Sequence, residues 1–479
     1  MLKYQLYING EWIPSGNGRT FSVTNPATGE IVGEVADATT EDVRRAVEAA
    51  HRAFPDWAAR TAWDRATYLR RAYELIMAHQ DELAELMTSE QGKPLPEAKG
   101  EVQYAAGFFE WYAEEAKRIY GDTIPASHPD KRILVLRQPV GVVAAITPWN
   151  FPAAMITRKI APALAAGCTV IVKPAEQTPL TALRLAELFQ EAGIPAGVVN
   201  VVTGTDPRTI GEILLRDERV RKVTFTGSTE VGKLIMRQAA DTMKKVSLEL
   251  GGHAPFIVFE DADLEKAARE VLTSKFRNAG QTCVCTNRIY VHETIADAFA
   301  EILVKQVEQL RVGNGMEAGV DIGPLIDGQA AEKAERHVRD AVEKGARVLT
   351  GGHRRSEGDV HFFEPTVLVG VTDEMLVQRE ETFGPVAPIA VFRDEDEAIR
   401  RANDTPYGLA AYLYTRNLAR AIRVSERLEY GIVGINDGLP STVQAPFGGM
   451  KESGIGREGG KYGMEEFLET KYVSVRLHD

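Results

Sequence analysis

V-G-V-V-A-A-I-T-P-W-N-F-P, residues 140–152, opens the part of the chain that decides its fold. Val140 to Thr147 is an almost unbroken apolar run stopped by Pro148. Such a run suits a strand buried on both faces. A helical segment follows to Ala166, and Thr169-Val-Ile-Val-Lys173 then repeats the buried-strand pattern. Thr178-Pro179 supplies the N-cap and first-turn residues of another helix, and Gly193 closes it. Residues 198–202, 222–226 and 246–250 add three more strands with helices between them. Strands and helices alternating at this spacing predict a parallel, doubly wound sheet covered on both faces.

Outward from that core, residues 4–35 read as short strands, with Asn9-Gly10 as a hairpin turn. Val43, Ala46, Val47, Ala50 and Phe54 recur at helical spacing. Residues 65–87 read as one long helix. Pro94 and Pro96 precede another, running through Phe108, Phe109, Tyr112 and Ile119. Residues 120–139 read as a strand pair extending from the body, and residues 470–477 as a last strand; both invite pairing with a partner chain. A second α/β unit begins near Pro255 and carries the cysteine loop F-R-N-A-G-Q-T-C-V-C-T-N-R, residues 276–288. The expected division is residues 1–119 and 140–251 for a cofactor domain and 252–449 for a thiol domain. Residues 120–139 and 450–479 would form an oligomerisation arm.

At 479 residues the chain is long enough for two cores. Its net charge of −12 offers no basic surface for nucleic acid and opposes anionic membranes. No apolar run approaches the ~20 residues a bilayer-crossing helix needs. Three cysteines cannot build a disulfide framework, and C-V-C lacks the partners of a zinc site, so a reducing cytoplasm without structural metal is expected.

Ligands of doubly wound sheets bind beyond the carboxyl ends of the strands. The residues just past each strand here are largely polar: Trp149-Asn150, Lys173-Pro174-Ala175-Glu176, Gly227-Ser228, and Glu249-Leu250 before two glycines. Gly227-Ser228 suits either a plain helix cap or a phosphate site. Lys173 could extend along the apolar rim or meet an anion, and Glu176 could accept from ribose hydroxyls while repelling a 2′-phosphate. Asn150 could cap a turn or stabilise an oxyanion, and Glu249 could be held by backbone amides or act as a base. Cys283 follows Gly280, Gln281 and Thr282, small or polar residues suited to a partly exposed loop whose dipoles lower a thiol pKa. No G-x-G-x-x-G follows a strand in this region, which weakens a dinucleotide reading made from the sheet alone.

G-Q-T-C at Cys283, E-L-G-G at Glu249, P-W-N-F-P at Asn150, K-P-A-E-Q-T-P from Lys173 and E-T-F-G-P at Glu381 together resemble the aldehyde dehydrogenase superfamily. The resemblance implies a fold of two Rossmann-type domains with a strand arm, and a variant turn in place of the glycine fingerprint. It implies that Cys283 attacks an aldehyde, that Asn150 and the Cys283 N–H hold the oxyanion, and that Glu249 activates the water that hydrolyses a thioester. NAD, or NADP, would lie on Trp149, Asn150, Lys173, Pro174, Ala175, Glu176, Gly227, Ser228, Leu250, Glu381 and Phe383, with Glu176 favouring NAD. Runs around Arg158, Ser274–Cys285 and Ala445–Gly459 are most similar to the branch acting on succinic semialdehyde. That similarity implies a carboxylate pocket of Arg158, Arg277 and Ser441. Glutarate semialdehyde or a small neutral aldehyde such as lactaldehyde is the alternative substrate. Cys285 becomes a candidate redox partner of Cys283, and a homodimer or dimer of dimers the expected assembly.

Overall fold

The computed structural model describes residues 2–357 and 360–477. Its first sheet has eight strands, and the five expected parallel strands form its centre. In spatial order these are Lys245–Glu249, Val220–Thr226, Val142–Ile146, Thr169–Lys173 and Val199–Val201. The chain therefore starts in the middle of the sheet, builds to one side and then crosses to the other. The hairpin Leu6–Ile8 and Glu11–Ile13 extends one edge antiparallel, turning through Asn9 and Gly10 at positive φ. Val142, Val143, Ala144 and Ala145 are all buried, as a run apolar on both sides requires.

A second, seven-stranded sheet is built from Ala254–Val258 at its centre, flanked by Thr286–His292 and Ala410–Tyr414. Its core is separate from the two apolar layers that cover the first sheet. Pairing across Thr366–Val369, Val386–Phe392, Thr286–His292, Ala254–Val258, Ala410–Tyr414 and Ile432–Ile435 is parallel throughout, with helices packed against it.

Three expectations change. Residues 65–87 are two helices, Ala62–Ala78 and Gln80–Gln91, because His79 leaves helical geometry at φ −104°, ψ 22°. The terminal strand Leu468–Arg476 pairs antiparallel with Lys131–Pro139 of its own chain along its whole length. Asp122–Ile124 lies on the other side, so the arm is a three-stranded sheet formed within one chain, with Leu468–Arg476 at its edge. The segment before that strand also returns Gly454–Ile455 to the first sheet, antiparallel to Lys245–Glu249, instead of joining the arm.

Candidate active site

The order of the central strands reverses between Val142–Ile146 and Val220–Thr226. Loops leaving the two strands there must diverge, and the gap is the natural crevice of such a sheet. A cleft of about 510 Å³ occupies it and reaches the second domain. Trp149, Asn150, Gly227, Ser228, Glu249, Leu250, Cys283, Glu381 and Phe383 all line it. Lys173, Pro174, Ala175 and Glu176 do not: they end the neighbouring strand, where the Lys173 ammonium pairs with Glu176 at 2.9 Å.

The cleft wall suits a dinucleotide. Ser228 caps the eleven-residue helix Thr229–Ala239, its hydroxyl accepting from the Val231 N–H at 3.3 Å. The cap reading of Gly227-Ser228 is thus observed, and a capped helix still presents first-turn N–H groups and a positive dipole end that an anion could meet. Trp149 and Phe383 meet edge to face with ring centres 5.7 Å apart and give the cleft a flat apolar wall. Glu381 accepts from the Gly252 N–H at 3.0 Å, and burial raises its carboxyl to about 7. A helix N-terminus, an aromatic wall and a buried carboxylate are the kinds of group that a nicotinamide dinucleotide could use.

A second chamber of about 360 Å³ meets the cleft at Cys283, which lines both. Arg158, Arg277 and Ser441 line this chamber. So do Glu97, Gly100, Glu101 and Tyr104, none of which stands in a motif that marks it. Their spacing places them on one face of the helix Leu95–Glu115. That spacing is visible in the sequence, but two acids on a helix ordinarily mark a solvated face. Nothing local announces that this face closes over the end of another helix, where Glu101 accepts the Ala153 and Ala154 N–H groups at 2.9 and 3.1 Å.

The two arginines differ. Arg158 is fully buried, donates to Glu249 at 3.1 Å, forms an ion pair with Glu458 and stacks on Phe447 with its guanidinium carbon 4.5 Å from the ring centre. Its charge is met within the protein by two carboxylates, on the wall of the same chamber. Arg277 makes no ion pair among the described residues, sits 5.2 Å from the Phe151 ring centre, and leaves its buried Nε without a partner. Glu249 is accordingly held by an arginine and not by backbone amides, with its Oε1 unpartnered.

Burial and then the neighbouring Glu249 charge push the Cys283 thiol well above its usual range, against the pull of Arg158. The thiol expected to be partly exposed is buried in the structure, and that burial pushes its pKa up instead of down. Burial likewise raises the Glu249 carboxyl, with Arg158 opposing. Gly252 is required behind the nucleophile, because any Cβ there would run into the Cys283 carbonyl. Asn150 does not cap a turn. Its Nδ2 donates to the Gln281 carbonyl at 3.0 Å, tying the Pro148–Pro152 loop to the cysteine loop. All three cysteines are free thiols. Cys285 turns to the Gly280 carbonyl at 3.2 Å and the Lys275 ammonium at 3.6 Å.

These features match a known class throughout. Residues 12–473 match the model of the aldehyde dehydrogenase family. The chain belongs to the aldehyde dehydrogenase family and is an oxidoreductase of that class. It is 59% identical over 477 residues to a glutarate-semialdehyde dehydrogenase of Pseudomonas putida, covering 100% of this chain and 98% of the relative. To a succinate-semialdehyde dehydrogenase [NADP(+)] of Escherichia coli it is 58% identical, again over 100% and 98%. A solved succinate-semialdehyde dehydrogenase of Burkholderia pseudomallei superposes with a TM-score of 0.98 at 55% identity, covering 99% of this chain and 98% of that one.

Proposed function

We propose that the protein oxidises succinic semialdehyde to succinate through a covalent intermediate on Cys283. The observation that carries this reading is Arg277: a guanidinium with no ion pair among the described residues, in a chamber that opens onto the thiol. A guanidinium without a carboxylate partner in such a place is a receptor for an anionic group of the substrate. Ser441 adds a hydroxyl to the same wall. Glutarate semialdehyde is the second reading, supported by the 59% identity to the P. putida enzyme of that name.

Asn150 and the Cys283 N–H form the oxyanion site. Cys283 gives up its thiol proton to solvent as its sulfur adds to the aldehyde carbon, and the carbonyl oxygen gains its negative charge at these donors. A nicotinamide dinucleotide, when bound in the cleft, supplies the hydride acceptor. Gly227, Ser228, Leu250, Glu381, Phe383 and Trp149 bind and orient it, and Lys173 with Glu176 and the Pro174-Ala175 turn bound its adenosine end. Glu249 then takes a proton from the water that attacks the Cys283 thioester, releasing the acid and the thiol. That carboxylate favours hydrolysis over transfer to a carrier thiol.

Glu176 supports NAD over NADP: its charge answers Lys173 at 2.9 Å and would repel a 2′-phosphate. The E. coli relative carries NADP(+) in its name. Cys285, facing Lys275, supports a redox role with Cys283 only if its side chain turns. The arm supports a homo-oligomer by sheet extension, since Leu468–Arg476 keeps one edge unpaired among the described residues. Three free thiols suit a cytoplasmic setting, and no helix among the described residues is long and apolar enough to cross a membrane.

The test is Arg277→Ala, assayed on succinic semialdehyde and on butanal. A charge-assisted hydrogen bond contributes about 1.5–3 kcal/mol, so kcat/KM should fall roughly ten- to a hundredfold on the semialdehyde alone. Equal losses on both substrates would reject the clamp.

A further inference from the structure

The substrate chamber contains a second unused donor. Tyr104 projects into it from the helix Leu95–Glu115, with its ring edge-on to Phe108 at 4.9 Å between centres. Its hydroxyl is buried and has no hydrogen-bond partner among the described residues. A phenol in that position ordinarily finds one, because its oxygen has given up water for an apolar setting. The charges that act on it most are Arg158 and Arg277, followed by Glu458 and Cys283. Burial outweighs both arginines and keeps the phenol above its ordinary pKa, so it holds its proton and can donate.

Most other polar groups on these walls are already engaged. Arg158 meets Glu249 and Glu458. Glu101 holds the backbone of Ala153 and Ala154 and pairs with Lys93. Glu97 accepts the Asn278 N–H at 2.8 Å. Arg277 Nε, Tyr104 Oη and, beside the nucleophile, Thr282 Oγ1 remain as donors without acceptors among the described residues. A carboxylate has about four lone-pair sites, more than one guanidinium fork fills, so it can accept from Arg277 and Tyr104 together.

We propose that Tyr104 is a specificity-determining residue whose hydroxyl donates to the distal carboxylate of the semialdehyde beside Arg277. This assignment rests on succinic semialdehyde being the substrate. Tyr104 also bears on chain length. Arg277 sits on the cysteine loop itself, whereas Tyr104 stands on a separate helix, so accepting from both fixes the distance of the carboxylate from the sulfur.

Tyr104→Phe removes one oxygen and keeps the ring against Phe108, so the variant retains the packing of the wild type. On succinic semialdehyde its kcat/KM should fall about tenfold or more, mainly through a higher KM, as for a lost hydrogen bond to a charged group. On butanal kcat/KM should be unchanged or higher, and Tm unchanged. Binding of succinate, followed by thermal shift, should weaken by a similar factor. Equal losses on both aldehydes would make Tyr104 structural, and an undiminished rate on the semialdehyde would leave its hydroxyl to water; either overturns the assignment. Wild-type enzyme that does not prefer succinic semialdehyde to butanal would remove the carboxylate reading itself, and Tyr104 with it. Wild-type preference with an unaffected Tyr104→Phe variant would remove only Tyr104.

Discussion

In the proposed mechanism Asn150 acts through one amide proton. Its Nδ2 commits the other to the Gln281 carbonyl at 3.0 Å, while its backbone carbonyl accepts from Lys93 at 2.8 Å and Asn278 at 3.0 Å. A group fixed at both ends loses little on meeting the developing charge. One oxyanion donor of this kind is worth ~3 kcal/mol, so Asn150→Ala should lower kcat about a hundredfold. Near-normal kcat in steady-state assays would remove Asn150 from the mechanism. Glu249 sets the acid limb of the pH profile. Burial raises its carboxyl above the ordinary 4.5, and hydrolysis needs the ionised form. As pH falls, kcat should therefore drop before the ordinary carboxylate range is reached; a profile flat down to that range would contradict this. Cys283 can be picked out in the sequence because it stands in a short polar stretch, and Asn150 and Glu249 because each is a lone polar residue among apolar neighbours at the end of a strand. The state of the thiol cannot. It depends on burial and on Arg158, whose second partner, Glu458, lies near the far end of the chain.

Strands announce themselves locally, but their partners do not. The five parallel strands are legible from apolar runs and the helices between them, and the Asn9-Gly10 turn from its residue pair. The pairing of Leu468–Arg476 with Lys131–Pro139 is not, since neither strand carries a mark naming the other. The break at His79 is hidden for a related reason: the apolar periodicity passes through it, and only the backbone turns aside. The short strand Gly454–Ile455 has the clearest consequence. It lies against Leu248 and Glu249, and Gly454 adopts φ 133° where a Cβ would fall on the Leu248 carbonyl. A side chain there would be both strained and blocked. Gly454→Ala should cost about 1–3 kcal/mol of stability and, by pushing away the edge strand that seats Glu249, also lower kcat. Unchanged Tm in calorimetry together with unchanged kcat would show that this edge strand is dispensable.

At the scale of the molecule, neither domain holds a complete site. The first sheet supplies Asn150, Ser228 and Glu249, and the second supplies Cys283 and Glu381. The two cavities become one path only where they meet at the sulfur. That convergence is why motifs spread over more than 200 residues can be recognised together yet not assembled from the sequence: their distances belong to the packing of two cores. It also makes Glu249→Gln informative. Removing that charge takes away one of the forces that raise the Cys283 thiol, so acylation can proceed while hydrolysis stalls. The direct test is to mix this variant with NAD and succinic semialdehyde, quench in acid and weigh the peptide containing Cys283. A stoichiometric burst of NADH with a succinyl group on Cys283 is the predicted result. NADH formed with no acyl group there, or with the group on another residue, would contradict the covalent route.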